Sequence, residues 1–397
     1  MFSPKKFGRY ACAALSGWVL SAAAATPQPT PEQQFSEAVE QLREGRSGDA
    51  LSTLESLTRR EPHFRLAQLF YGELLSALSG AGDNGLMASA ADTDPRLQDL
   101  VDEARVRLAS EQAVPPAGTV PNAVLQLDDS YTHVVLVDLP RARLYLLQND
   151  HGRLTLLRHH YAAMGRNGAR KQVSGDMRTP VGLYHVTRWI SDSALPELYG
   201  AGALPLDYPN VWDKAQQRTG SGIWLHGVPR DTYSRPPRSS EGCVTMANAD
   251  IEALRPFVRF GKTPVVLSDE VNWVPAAQIE AQRREFLGVV EAWRAAWSSG
   301  DTDAYLDYYD DGFTTEQGMT RAAFAAHKRR VNANKSFIDV QLHDLSLFRY
   351  PGATTPLMLA EFTMDYRSSN YSTTTRKQQF WTRKGDGSWK IVREENR

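Results

Sequence analysis

Along residues 31 to about 112 the apolar positions recur at helical spacing. Phe35, Ala38, Val39 and Leu42 form one stripe, Ala50, Leu51, Leu54 and Leu57 a second, and Leu66, Leu69, Phe70, Leu74 and Leu78 a third. Gly45 lies between the first two stripes and Pro62 follows the second, where a turn and a helix stop belong. AVPPAGTVPNA, residues 113–123, has no period and is rich in Pro, so it reads as the linker that ends this helical region. From His133 the texture changes. HVVLVDL, RLYLLQ, RLTLLRHHYAAM, GLYHVTRWI, GIWLHGV and PVVLSDE are short runs rich in β-branched and aromatic residues, separated by Gly, Asp, Asn and Pro. They predict a β-rich domain over residues 124–270, with one helix from Asn248 to about Phe260. After Pro275 a long helical pattern returns, with Phe286, Val289, Val290, Trp293, Ala296 and Trp297 on one face. Four alternating runs follow (FIDVQLHDLSLFRY, LMLAEFTMDYRSS, TTTRKQQFWTRK and SWKIVREE), so residues 276–397 read as an α+β domain.

The 397 residues are enough for three such units, each with its own core. A net charge of −1 argues against a nucleic-acid partner. The N-terminus carries Lys5, Lys6 and Arg9, then an apolar run from Tyr10 to Leu20 and small residues from Ala22 to Ala25. That order reads as a signal peptide over residues 1–25, which makes the expected location periplasmic. No later segment is long and apolar enough to span a membrane, so none is expected after cleavage.

Cleavage would remove Cys12 and leave Cys243 as the one cysteine of the mature chain. An exported protein with one cysteine is no disulfide scaffold, and a thiol in an oxidising compartment is either buried and inert or chemically used. Cys243 sits in SSEGCVTMAN, ahead of the predicted helix, whose backbone amides can favour a thiolate and a developing oxyanion. Gly242 allows a tight turn there. A base is available in IWLHGVP, where His226 precedes Gly227, and the loop RDTYSRPPRSSEG can fold the two ends together. His159 and His160 are adjacent on a predicted strand and point to opposite faces, and no His or Cys cluster has metal-ligand spacing.

HG, a loop, then S-x-G-C with Asn five residues on resembles the active-site signature of the L,D-transpeptidase (YkuD) catalytic domain. VDLPRARLYLL, GDMRTPVGLYHV and LDYPNVWDK resemble further pieces of that family in the same order. The resemblance implies that Cys243 is the nucleophile and His226 the base, and that the carbonyl of Gly227 or a neighbouring group holds the imidazole. It places the oxyanion site at Gly242 and Cys243, with Ser240 as a positioning hydroxyl, and puts Tyr184 in the conserved T-P-x-G-x-Y run as a substrate-side residue. The partner implied is a peptidoglycan stem peptide, and no metal or organic cofactor is implied. Two positions depart from the commoner pattern. Glu241 stands in place of a histidine and Thr245 in place of an arginine, so Arg230, Arg235 or Arg238 becomes the candidate ligand for a substrate carboxylate. Glu241 next to a thiolate should point outward.

AVEQLREGRSGDALSTLESLTRREPHF resembles one tetratricopeptide-type hairpin, and AW…GD…YL…YY…F followed by strands resembles the NTF2-like cone. This domain order is similar to the subgroup that includes LD-carboxypeptidases controlling helical cell shape, and to a branch that releases wall-bound lipoprotein. Three activities are therefore open: transpeptidation, trimming of a tetrapeptide to a tripeptide, and lipoprotein release. A non-catalytic wall-binding scaffold is the alternative of another class. The helical or NTF2-like region would supply a homodimer contact or a protein partner.

Overall fold

The computed structural model describes residues 28–80, 94–111 and 115–396. The expected signal peptide lies outside the described residues. The helical region consists of α1 (Pro31–Arg43), α2 (Ser47–Arg60), α3 (Arg65–Leu78) and α4 (Pro95–Glu111). Thr30 caps α1 through a reciprocal bond with Gln33, and Pro31 occupies the first turn, where a missing N–H costs nothing. The apolar stripes meet in one core built around Phe35, Leu54, Leu57, Phe64 and Leu66, with Ala104 of α4 against it.

Beside this core lies a buried charge network. The Arg107 guanidinium, almost without exposure, pairs with Glu103 at 2.9 Å and with Glu32. Arg143 of the β-rich domain also reaches Glu32, at 2.9 Å. Burial alone would raise the Glu32 carboxyl, but Arg107 and Arg143 override it and hold its pKa at about 2. The helical region is thereby tied to the β-rich domain by charge as well as by packing.

The β-rich domain is a sandwich of two sheets. Its five-stranded sheet runs in the order Arg153–Tyr161, Arg143–Asp150, His133–Asp138, Pro264–Ser268, Gly182–His185, with only the third and fourth strands parallel. A four-stranded sheet runs Val244–Thr245, Trp224–His226, Gly202–Pro205, Ile190–Ser191. Val135, Val137, Leu144, Leu146, Val265 and Leu267 from the first meet Leu204, Leu225 and Val244 from the second. The alternate residues Val134, Leu136, Tyr145 and Leu147 face the other way, into a core shared with the C-terminal domain. Burial on both faces explains why HVVLVDL reads as an unbroken apolar run.

In the C-terminal domain α6 (Ala276–Ser298) lies in the curve of a mostly antiparallel sheet, with Trp293, Trp297, Phe362 and Trp381 packed between them. The four expected strands are Ile338–Arg349, Leu357–Ser368, Tyr371–Arg383 and Trp389–Asn396. A further strand, Tyr309–Thr315, and a helix, Arg321–Asn332, complete the cone. Its mouth is a cavity of about 640 Å³ lined in part by Trp297, Lys328, Lys335, Tyr366 and Lys377.

One boundary differs from expectation. Val124–Gln126, expected to open the catalytic domain, is instead the sixth strand of the C-terminal sheet, where Gln126 pairs with Leu347 and Val124 with Phe348. Within the expected linker, Thr119–Pro121 forms a ribbon with Trp273–Pro275. The reason is burial: Val124 and Leu127 enter the inter-domain core, where Trp212 stacks on Phe380 with centroids 5.2 Å apart.

Replacing Glu32 by Gln should leave two buried guanidinium groups short of charge and destabilise the helical region by about 3 kcal/mol, read by chemical denaturation. In the wild-type chain the Glu32 carboxyl binds its proton less tightly folded than unfolded. Its stabilising contribution is therefore complete above about pH 4.5 and is lost as pH falls toward 2, and a denaturation series across that window should show the loss in wild type and not in Glu32→Gln.

Candidate active site

The site is set by a short parallel strand pair. Leu225 is in register with Val244 and His226 with Thr245. Side chains alternate along a strand, so Leu225 and Val244, both without exposure, enter the core. His226, Thr245 and, one step back, Cys243 and Trp224 share the opposite face. Cys243 and His226 are thus diagonal neighbours on adjoining strands.

Each is held from behind. His226 Nδ1 lies 2.7 Å from the carbonyl oxygen of Gly227. A carbonyl can only accept, so Nδ1 carries the hydrogen and Nε2 keeps its lone pair. Gly227 permits this because a Cβ there would collide with Asn248 Oδ1. Asn248 opens α5 (Asn248–Leu254), accepts from the amides of Ala201 (2.9 Å) and Val228 (3.1 Å), and donates to the Val228 carbonyl (2.8 Å). One side chain thereby joins three segments that frame the histidine.

The Cys243 turn is equally constrained. Gly242 has φ 126°, and a Cβ on it would lie 2.8 Å from the Arg178 carbonyl, so glycine is required on both counts. Ser240 Oγ donates to the Cys243 carbonyl at 2.6 Å and accepts from the Gly242 amide at 3.1 Å. Ser240 is therefore a structural hydroxyl. The Gly242 amide, expected as an oxyanion donor, is already engaged by it. The Cys243 thiol donates to the Gly222 carbonyl at 3.3 Å.

The electrostatics favour neutral partners. Burial pushes the Cys243 thiol up to about 11, against the backbone N–H of Trp224 and the charge of Arg235, with Glu241 opposing them and Lys171 assisting. Burial likewise pulls His226 down to about 4, against its bond to Gly227, and Arg235 lowers it further. Thiol and imidazole are both uncharged through the physiological range. Glu241 is exposed and lies 4.0 Å from Arg166, so it does point outward. Thr245 is almost fully buried, in register with His226.

The three loop arginines separate. Arg230 is spent on Glu197 (2.6 Å) and Asp192 (2.9 Å). Arg238 is exposed in a strand beside Met164. Arg235 is half-buried, and its charge acts on both Cys243 and His226. Tyr184 corrects the expectation placed on it: it has no exposure, lies in the sandwich core with its ring 5.9 Å from that of Tyr208, and cannot touch a substrate. Tyr199, which no sequence signal singles out, packs edge-on to His226 with centroids 4.9 Å apart, and its hydroxyl is raised by burial and by Cys243. Lys171, also unforeseen, is buried and bonded to Asp176 at 2.7 Å in the loop behind Gly242.

A cysteine and a histidine share one face of a parallel strand pair, with the imidazole tied to the next carbonyl, a geometry that suits nucleophilic acyl transfer. Residues 132–267 match the L,D-transpeptidase catalytic domain, and residues 285–395 match the Cds6 C-terminal NTF2-like domain. The chain therefore carries an L,D-transpeptidase catalytic domain joined to a C-terminal NTF2-like domain. Among solved structures it is similar to Bd1075 of Bdellovibrio bacteriovorus, with 28% identity over 70% of this chain and 98% of that one, at a TM-score of 0.62. It is also similar to the helical cell shape determining protein Pgp2 of Campylobacter jejuni, with 27% identity over 69% and 94% of the two chains and a TM-score of 0.59. No curated protein sequence matches the chain.

A thiol of this kind reacts only through its thiolate fraction. Alkylation of Cys243 by iodoacetamide should rise by about tenfold per pH unit between 7 and 10. A rate already flat from pH 6 would mean a standing thiolate–imidazolium pair.

Proposed function

We propose that the protein is a peptidoglycan-modifying cysteine enzyme that forms an acyl-thioester on Cys243. The observation that carries this reading is the shared face of Cys243 and His226, with Nε2 left as the proton acceptor by the Nδ1 bond to Gly227. A stem-peptide carbonyl at an L-configured centre enters beside the sulphur. The thiol proton passes to His226 Nε2 as the Sγ–C bond forms, and the amide hydrogen of Cys243 faces the developing oxyanion. Collapse breaks the C–N bond, and His226 returns the proton to the departing D-residue amine. Both partners begin neutral, so charge appears only in the transition state, where surrounding dipoles count most.

Arg235 is the cation best suited to a substrate carboxylate, because Arg230 is engaged by two carboxylates and Arg238 is exposed beside Met164. The acceptor that resolves the thioester is an amine in crosslinking and water in trimming. The L,D-transpeptidase match supports the first. The likeness to a cell-shape determining protein across both domains favours the second as the companion reading. The basic, aromatic-walled mouth of the C-terminal cone suits a tether to the same polymer. The outward position of Glu241 weakens the alternative of an inactive scaffold.

Purified protein incubated with disaccharide-tetrapeptide should give crosslinked dimer, or tripeptide with free D-alanine, by mass spectrometry. Cys243→Ala should abolish either product, and Arg235→Gln should raise KM by about tenfold or more, as loss of a charge-assisted contact would. Unchanged substrate with the wild-type chain would remove the enzyme reading.

A further inference from the structure

The loop from Val228 to Arg238 leaves the histidine strand and returns to the Ser240 turn, and its tip is gripped by the helical region. The Tyr233 ring lies against Phe64 with centroids 4.2 Å apart and planes 30° apart, and its amide donates to the His63 carbonyl at 3.3 Å. Ser234 Oγ donates to Glu103 Oε1 at 2.7 Å, and Glu103 is itself buried and paired with Arg107. The Arg107 guanidinium covers the Tyr161 ring at 3.8 Å, and the Tyr161 hydroxyl donates to the Arg235 carbonyl at 2.8 Å. Of three consecutive loop residues, Tyr233 and Ser234 are thus fixed by the helical region and Arg235 by Tyr161 of the β-rich domain. The third, Arg235, sends its side chain back over the site, with Nη2 3.5 Å from the carbonyl of Leu198, the neighbour of Tyr199.

We propose that the helical region is a positioning element of the active site, with Tyr233 and Ser234 as the grip that sets where the Arg235 guanidinium lies beside Cys243. The proposal rests on the reading of Cys243 and Arg235 given above. Tyr233 and Ser234 touch no reacting atom and act through Arg235. The other charged groups that bear on the thiol, Lys171 from the loop behind Gly242 and Glu241 from the turn, and the neutral His226 and Tyr199 of the facing strand and loop, are held by contacts other than the helical grip. Displacing the grip therefore alters one cation and leaves the rest. A partner that bound the helical region and shifted α3 or α4 would change thiol reactivity and substrate affinity together.

The test uses the full chain and follows Cys243 alkylation against pH by mass spectrometry of its peptide. Arg235→Gln should slow the reaction at pH 8 by about threefold, the effect of a half-unit rise in thiol pKa. Tyr233→Ala should slow it comparably, Tyr233→Phe should match wild type, and the Tyr233→Ala/Arg235→Gln double variant should be no slower than Arg235→Gln alone. A wild-type profile for Tyr233→Ala, or additive slowing in the double variant, would overturn the proposal. Should Tyr233→Ala fail to fold, Ser234→Ala, which removes only a hydroxyl, must slow alkylation in the same direction, and a wild-type profile for it is equally fatal. The titration needs no substrate, so a chain inert toward muropeptides that kept this pattern would overturn the enzyme reading and leave the positioning intact. Turnover of muropeptides with both KM and the thiol profile unmoved by Tyr233→Ala would do the reverse.

Discussion

Everything chemical in this molecule depends on the in-register parallel pairing of Trp224–His226 with Val244–Thr245. A slip of one residue would carry Cys243 and His226 to the core face and bring Leu225 and Val244 out to solvent. That slip is opposed by burial of two large aliphatic side chains, on the order of 3 kcal/mol or more in total. Other features follow from the same constraint. Asn248 can bond both the Ala201 and the Val228 segments only because α5 starts just after the second strand, and Gly227 must lack a Cβ because Asn248 occupies that space.

Burial then decides the resting state. The thiol loses more by desolvation than it regains from Arg235, Lys171 and the Trp224 amide, and the imidazole likewise stays neutral. A neutral thiol is protected from oxidation, since oxidants attack the thiolate. In the proposed reaction, nucleophilicity arises when a bound acyl donor makes proton transfer to His226 productive. The surrounding domains contribute to this arrangement. The C-terminal sheet covers the outer face of the five-stranded sheet through Phe348, Leu359 and Phe380, and the helical region holds the loop that carries Arg235.

Much of this was legible in the sequence. The histidine and cysteine motifs name their own residues, and the resemblance they carry points to the carbonyl of Gly227 or a neighbouring group as the partner of the imidazole. The four long C-terminal strands are each bounded by turn residues that alternate cleanly with apolar runs. What escaped has physical causes. Val124–Gln126 is too short to carry a period, and its partners at Leu347 and Phe348 are distant in sequence. Tyr184 sits in a motif, yet a motif does not reveal which face of a strand is buried. Arg230, Arg235 and Arg238 are alike in sequence, and only the carboxylates of Asp192 and Glu197 tell them apart. The Gly242 amide was assigned to an oxyanion without knowledge that Ser240 Oγ would claim it. Tyr199 and Lys171 lie on loops whose return path no local pattern encodes.

The most direct test of the account is to mix enzyme with disaccharide-tetrapeptide, quench in acid over a series of short times, and weigh the intact protein. The account predicts a species heavier by the acyl donor, located on the Cys243 peptide and released by hydroxylamine as a thioester should be. Substrate turnover with no such adduct at any quench time would contradict covalent catalysis through Cys243.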